Sequence, residues 1–464
     1  MPTTDTSTLS IPQLRAAVAG DVIAPTDAGY DAARRVFVRG IDLRPAAIVR
    51  VADAADVAHV VRLARERGSE LAVRGGGHSI PGYSGSDGGL VIDLTAMRAL
   101  DIDVDDRSAW AQAGLTAGEF TTAVAAHGLA TGFGDTASVG ISGITLGGGI
   151  GYLTRARGLT IDNLLAAEVV TADGEILHAD AEAHPDLFWA LRGAGANVGV
   201  GTRLRYRLHE LTAVTGGMLM LPATADTIAA VIAAAEQASD DVSVIVNIMI
   251  APPDASIPAE HHGTPVMMVL LAHSGPADAG GRAVAPFRDV AAPLVADLAT
   301  RPYPEMFRFT DNGDFHPTRE VARSWFRDTF DRSVAAQILA RLEAATAPMA
   351  VTQVRVLGGA IARVPVEATA YAHRDRRILI ATGAVYEAAE DDEAHEAWVS
   401  ETAAALREGA PGVYVNFLGD EGPARVREAY PGTTWERLTR IKAQYDPTNL
   451  FHRNQNIPPA GMTG

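Results

Sequence analysis

The stretch "LAVRGGGHSIPGYSGSDGGLVIDL", residues 71–94, places three consecutive glycines and a histidine between two strand-like segments. Glycine loses more conformational freedom on folding than any other residue, so a run of three at a strand end needs a structural reason. Consecutive glycines can turn several backbone N–H groups toward one point, making a nest for phosphate oxygens. A second glycine-dense loop, "TLGGGIGYL" at 145–153, repeats the pattern. Neither loop has the Gly-Lys-Ser/Thr ending of a Walker phosphate loop. The dinucleotide fingerprint fails as well, because Gly147 and Gly149 are followed by Tyr152 where a third glycine belongs. Each loop alone reads equally well as a tight turn beneath packed strands.

The segments around these loops mix short strands with helices. "PAAIVRVADAADVAHVVRLARERG" reads as a strand at Ile48, Val49 and Val51, then a helix capped by Asp53 and closed by Gly68. Val57, Val60, Val61 and Ala64 follow the spacing of a buried helical stripe. Residues 100–115 suggest a hairpin around "DDRS". Thr116 and Glu119 then form a capping box, and the helix it opens ends at Gly128. Two strands joined by Asp173-Gly174 follow, then a helix with Pro185 in its first turn. In "VGVGTRLRYRLHEL" Val200, Thr202, Leu204 and Tyr206 face one way and Arg203, Arg205 and Arg207 the other. From residue 211 alternating strands such as "VSVIVNIMI" and "RRILIATGAVY" are separated by longer helices, which predicts a separate α+β segment.

At 464 residues, two or three domains are expected. The net charge of −17 argues against a nucleic-acid or anionic-membrane partner. No cysteine occurs, which removes disulfides, thiolate metal sites and thiol nucleophiles together. The N-terminal residues lack the charged and apolar regions of a secretory signal, and "TPVMMVLLAHSG" (264–275) is too short to span a bilayer. A cytoplasmic protein is the expectation. "EHH" at 260–262 lies in a proline-rich loop without further ligands at useful spacing, so no metal site is expected.

Together the two loops and their surroundings resemble a specific family. "AVRGGGHSIPGYSGSDGGLVIDLTAM", "GISGITLGGGIGYLTRARGLTIDNLLAAEVVTADGEIL", "HPDLFWALRGAGANVGV" and "YVNFLGDEG…YDPTNLFHRNQNIPP" are similar, in order and spacing, to the berberine-bridge-enzyme-like FAD-linked oxidases of the vanillyl-alcohol oxidase/PCMH superfamily. The resemblance implies an α+β fold. A PCMH-type FAD-binding domain of two subdomains would span 1–210 and regain the chain at 411–464. A substrate domain at 211–410 would lay an antiparallel sheet over the flavin, with helices on the other face.

The resemblance also implies roles for residues. Arg74, Gly75, Gly76, Gly77, His78 and Ser79 would cradle FAD, with His78 joined covalently to the flavin 8α-methyl carbon. That bond needs a neutral imidazole, which an ordinary histidine supplies at pH 7. Gly82 belongs to the same loop. Thr136, Val139, Gly140, Gly143, Gly147, Gly148, Gly149, Gly151 and Tyr152 would contact the cofactor from the second loop, joined by Asn163, Val200 and Asn454. Many relatives carry a second tether, a cysteine that aligns with Thr136; a chain without cysteine has a single tether. Val139 resembles the valine of oxygen-reacting members. The early chain departs from the family, since "RRVFVRGIDLRP" lacks a tryptophan–asparagine pair often seen there.

Tyr414 would be the catalytic base, with Asn416 beside the flavin. A strand period of two puts both on one face. Gln353 and Arg355, on one face of "TQVRVLGGA", would bind substrate or stabilise a tyrosinate. The implied reaction is oxidation of a C–H bond next to an alcohol or amine of a small organic molecule (a sugar, polyketide, alkaloid or phenolic), with O2 reduced to hydrogen peroxide. A dehydrogenase with another electron acceptor and a non-catalytic flavin-binding protein are the alternatives.

Overall fold

The structure, a computed structural model, describes residues 9–253, 257–310 and 316–462. Among these, the strands nearest the N-terminus form a four-stranded sheet, in the order Asp21–Ile23, Ala47–Arg50, Leu90–Asp93, Leu71–Arg74. The last three are parallel, and the helix Ala54–Arg67 connects two of them. Asp53 caps that helix by accepting from the amides of Ala55 and Asp56, and Gly68 closes it at φ 62°. Val57, Val60, Val61 and Ala64 bury the expected stripe against Val49, Leu71 and Ile92. Arg74 and Asp93 pair at the carboxyl ends of adjacent parallel strands, so the first glycine loop leaves the sheet at the edge where such sheets bind ligands.

A five-stranded antiparallel sheet follows, ordered Leu100–Asp103, Ser108–Gln112, Val200–Arg207, Leu164–Val170, Ile176–Asp180. The expected hairpins, the Thr116–Glu119 capping box and the helix Pro185–Ala194 are all present. The capped helix stops at Ala125, and Gly128 takes φ 69° in the turn beyond it. The helices Pro423–Ala429 and Thr433–Tyr445 return to this core, where Val426, Leu438 and Ile441 pack with Phe120, Leu187 and Leu204.

Residues 214–386 supply a seven-stranded sheet with every neighbouring pair antiparallel. Its alternation is visible in Val242–Ile250. Val244, Val246 and Ile248 pack under the helices Ala225–Gln237 and Arg332–Glu343, whereas Ile245 and Asn247 face the glycine loops. This is an α+β fold of helices with largely antiparallel sheets. Among the described residues, no helix is long and apolar enough to cross a membrane, and no group of acidic and histidine residues is arranged to hold a metal ion.

Candidate active site

A cavity of about 900 Å³ lies between the glycine loops and the seven-stranded sheet. The two loop regions meet backbone to backbone. A Cβ added at Gly76 would lie 2.3 Å from the Gly140 nitrogen, and one at Gly140 would lie 2.3 Å from that of Gly76. No side chain larger than hydrogen fits at that crossing. Gly77 supplies φ 74°, a left-handed turn that aims the next residue, His78, along the cavity wall.

His78 is half-buried and held neutral. Burial pushes its imidazole down to about 4, the nearby His316 adds to the effect, and a hydrogen bond to the Ser138 backbone opposes it. The Phe37 ring stacks on it with centroids 4.4 Å apart.

Across the cavity, Tyr414 is 2% exposed and its hydroxyl oxygen receives two N–H donors. The Gly149 amide donates at 2.8 Å and Asn416 Nδ2 at 2.9 Å. This pairing comes from an irregular turn: Tyr414 precedes a single 3-10 turn, Val415–Phe417, and no strand forms there. The strand face expected to hold Tyr414 and Asn416 is thus absent, and the two side chains meet across the turn instead. Burial pushes the Tyr414 phenol up to about 12; the Gly149 amide, Asn416 and the Arg355 charge pull the other way. Two donors on one phenolic oxygen occupy both acceptor directions and leave the O–H for a third.

Gln353 and Arg355 share one face of the strand Met349–Val356, as expected. Arg355 Nε donates to Gln353 at 2.7 Å, Nη1 to the Ile150 carbonyl at 3.3 Å and Nη2 to Asp135 at 2.8 Å. Gln353 Nε2 in turn donates to Asn247 at 2.8 Å. The network stands behind the cavity wall, which Asp135 and Ile150 line directly.

Of the other residues expected at the site, Arg74, Gly75, Ser79, Thr136, Val139, Gly143, Gly147 and Asn454 line the cavity. Arg74 directs its guanidinium to the carbonyls of Ser84, Ala33 and Arg34, so it braces the loop. The remainder stand behind the wall. Gly148 lies against the Tyr414 ring, and Gly151 lies against the Gly134 carbonyl. Gly82 turns at φ 74° over Ile41. Tyr152 is fully buried among Leu270, Tyr303 and Met306. Val200 packs into the core beneath the first sheet. Asn163 bonds the Arg157 and Leu159 carbonyls and His209. The structure adds cavity residues to which the sequence assigned no role: Phe37, His316, Glu320 and the arginines Arg35, Arg50 and Arg453. Burial pushes the Glu320 carboxyl up to about 7. These residues come from separate segments of the chain, and only packing brings them to one cavity.

A family profile described as FAD binding domain matches residues 45–180, and one described as berberine and berberine like matches 413–458. The chain is 30% identical over 458 residues to (R)-6-hydroxynicotine oxidase of Paenarthrobacter nicotinovorans, covering 96% of this chain and 98% of that one. Among solved structures, 6-hydroxy-D-nicotine oxidase from Arthrobacter nicotinovorans superposes with a TM-score of 0.86 at 29% identity, over 97% of this chain and 99% of that one. Glucooligosaccharide oxidase from Acremonium strictum, which carries a 6-S-cysteinyl, 8α-N1-histidyl FAD, shares the fold at TM-score 0.84 and 23% identity, over 97% of this chain and 100% of that one. Fold, cavity and relatives define an FAD-linked oxidoreductase, and the protein is an enzyme. Within that class the chain belongs to the berberine-bridge-enzyme-like oxidases.

The residues present fit FAD. The Gly76–Gly140 crossing leaves bare backbone at the wall, and arginines also line the cavity. Ser84 Oγ and Asn454 Oδ1 are buried in the cavity lining without a hydrogen-bond partner among the described residues. Unpaired buried polar atoms of this kind are satisfied by a ligand or water.

Proposed function

We propose that this enzyme oxidises a C–H bond next to an amine or alcohol of a small organic substrate, with Tyr414 receiving the proton and His78 as the single covalent anchor of FAD. The observation that carries the reading is the Tyr414 oxygen, buried beside the cavity under two N–H donors. Those donors favour the tyrosinate that a base requires, and the Arg355 charge adds to them. FAD, when bound, supplies the hydride acceptor and passes the electrons to dioxygen. Gly75, Gly76 and Gly77 would hold its pyrophosphate, with the cavity arginines around it. The absence of cysteine excludes a second, thioether tether. Val139 in the cavity wall supports oxygen as acceptor, by its likeness to oxygen-reacting members. The hydroxynicotine-oxidising relative supports a small organic substrate. The proposed division assigns FAD binding to 1–210 and 411–464, and substrate binding to 211–410.

The visible spectrum of the purified protein, before and after acid precipitation, tests the anchor. Yellow colour should stay in the pellet for the parent protein and move to the supernatant in His78→Ala. Peroxide released at one equivalent per substrate turned over supports the oxidase. Electron transfer only to an artificial dye points to a dehydrogenase instead.

A further inference from the structure

We infer that Phe37 holds the His78 imidazole in the one orientation from which it bonds to the cofactor. The inference rests on the tether proposed above and names the residue that prepares it.

Three observations converge. The Phe37 and His78 rings are stacked, with an interplanar angle of 24° and centroids 4.4 Å apart, so rotation of the imidazole about its own bonds meets the phenyl face. Phe37 is itself fixed to the loop it serves, because its amide donates to the Gly77 carbonyl at 3.1 Å, one residue before His78. Phe37 also meets the His316 ring edge to face, with centroids 5.6 Å apart. The segment after His316 is pinned in turn: the Arg39 amide donates to the Pro317 carbonyl at 2.8 Å, and the Gly40 amide to the Thr318 carbonyl at 2.7 Å. All three rings line the same cavity.

A neutral imidazole carries its proton on one ring nitrogen and a lone pair on the other. Burial keeps a second proton off, so the lone pair stays available at neutral pH. Attachment would join that nitrogen to the flavin 8α carbon, with one proton lost from that carbon and the N–H proton lost from the imidazole; the two electrons released would reach dioxygen through the flavin, and dioxygen with the two protons would give hydrogen peroxide.

The test uses the full chain, produced under riboflavin limitation and then supplied with FAD. Bound flavin is read from the visible spectrum, and attached flavin from the share retained by acid-precipitated protein over time. Phe37→Leu, which keeps apolar bulk without a flat face, should bind FAD as the parent does yet attach it roughly tenfold more slowly, the cost of a misoriented nucleophile. Phe37→Tyr should attach it at the parental rate. Parental attachment in Phe37→Leu overturns the inference. Equal loss of bound and attached flavin overturns it too, since residue 37 then supports the cavity and not the imidazole. A parent protein that binds FAD but attaches none removes the tether itself and the inference with it; His78→Ala, which binds without attaching, is the reference for that outcome.

Discussion

Arg355 and Asp135 join the seven-stranded sheet to the loop that walls the cavity. Nη2 lies 2.8 Å from the carboxylate, and the side chains are 5% and 16% exposed. The guanidinium also lies over the Phe417 ring at 5.1 Å from its centroid. With Gln353 and the Ile150 carbonyl as its other partners, Arg355 acts as a clamp. Arg355→Met should destabilise the protein by about 3 kcal/mol, because it strands a buried carboxylate. Adding Asp135→Leu should recover most of that loss. Denaturant midpoints decide it, and a double variant as unstable as the single one counts against the clamp.

The Tyr414 environment sets a pH dependence. A base acts in its deprotonated form, and burial holds this phenol at about 12, so kcat/KM should rise with pH and still be rising at alkaline pH. Removing one donor to the phenolate in Asn416→Ala should move that limb upward by about 1 to 2 pH units. Tyr414→Phe should retain FAD and lose roughly 10²- to 10⁴-fold in kcat. Steady-state rates across pH check all three.

The loop crossing admits no side chain. Gly76→Ala puts a methyl group 2.3 Å from the Gly140 nitrogen, which must push the loops apart. The purified variant should show little flavin absorbance relative to protein. Gly29→Ala, at a position with no atom within 4 Å of the added carbon, should match the parent.

The C-terminal tail is tied down from inside. Lys442 and Asp446 are both 0% exposed and paired at 2.7 Å. Lys442 also donates to the Asn197 and Phe451 carbonyls, each at 2.8 Å, while Asp446 accepts from the amides of Leu450 and Phe451. Because Asn197 and Asn454 line the cavity, Lys442→Ala should cost about 3 to 5 kcal/mol and weaken FAD retention as well. Unfolding curves and flavin content of the same sample test the coupling; a fall in stability with full flavin content separates the two.

Acid should loosen the fold through buried histidine. Burial pushes His373 down to about 4, although its ring donates to the Glu428 carbonyl at 2.9 Å. Between the unfolded value near 6.5 and about 4, the unfolded chain binds the extra proton, so stability falls as pH drops through that window. Thermal midpoints should decline from pH 7 to 5, and less steeply in His373→Gln. An equal slope in that variant assigns the effect elsewhere.

Much of this protein was readable along the chain because the signals are local. The Asp53 cap, the Thr116–Glu119 box, the Pro185 start and the alternation after Val200 each depend on residues within a few positions of one another. The family, too, follows from motif order, since the glycine turns are set by their own backbone conformations. What only tertiary structure decided is contact between distant segments. Arg355 reaches Asp135 across 220 positions, Gly149 meets Tyr414 across 265, and Phe37 stacks on His78 through packing that periodicity does not encode. Asn163, Tyr152 and Val200 sit in matching motifs yet lie behind the cavity wall, because their burial depends on which elements pack over them. Local sequence sets backbone shape and the side-chain chemistry on offer; which of those side chains face one cavity is set by the long-range packing of the three larger sheets.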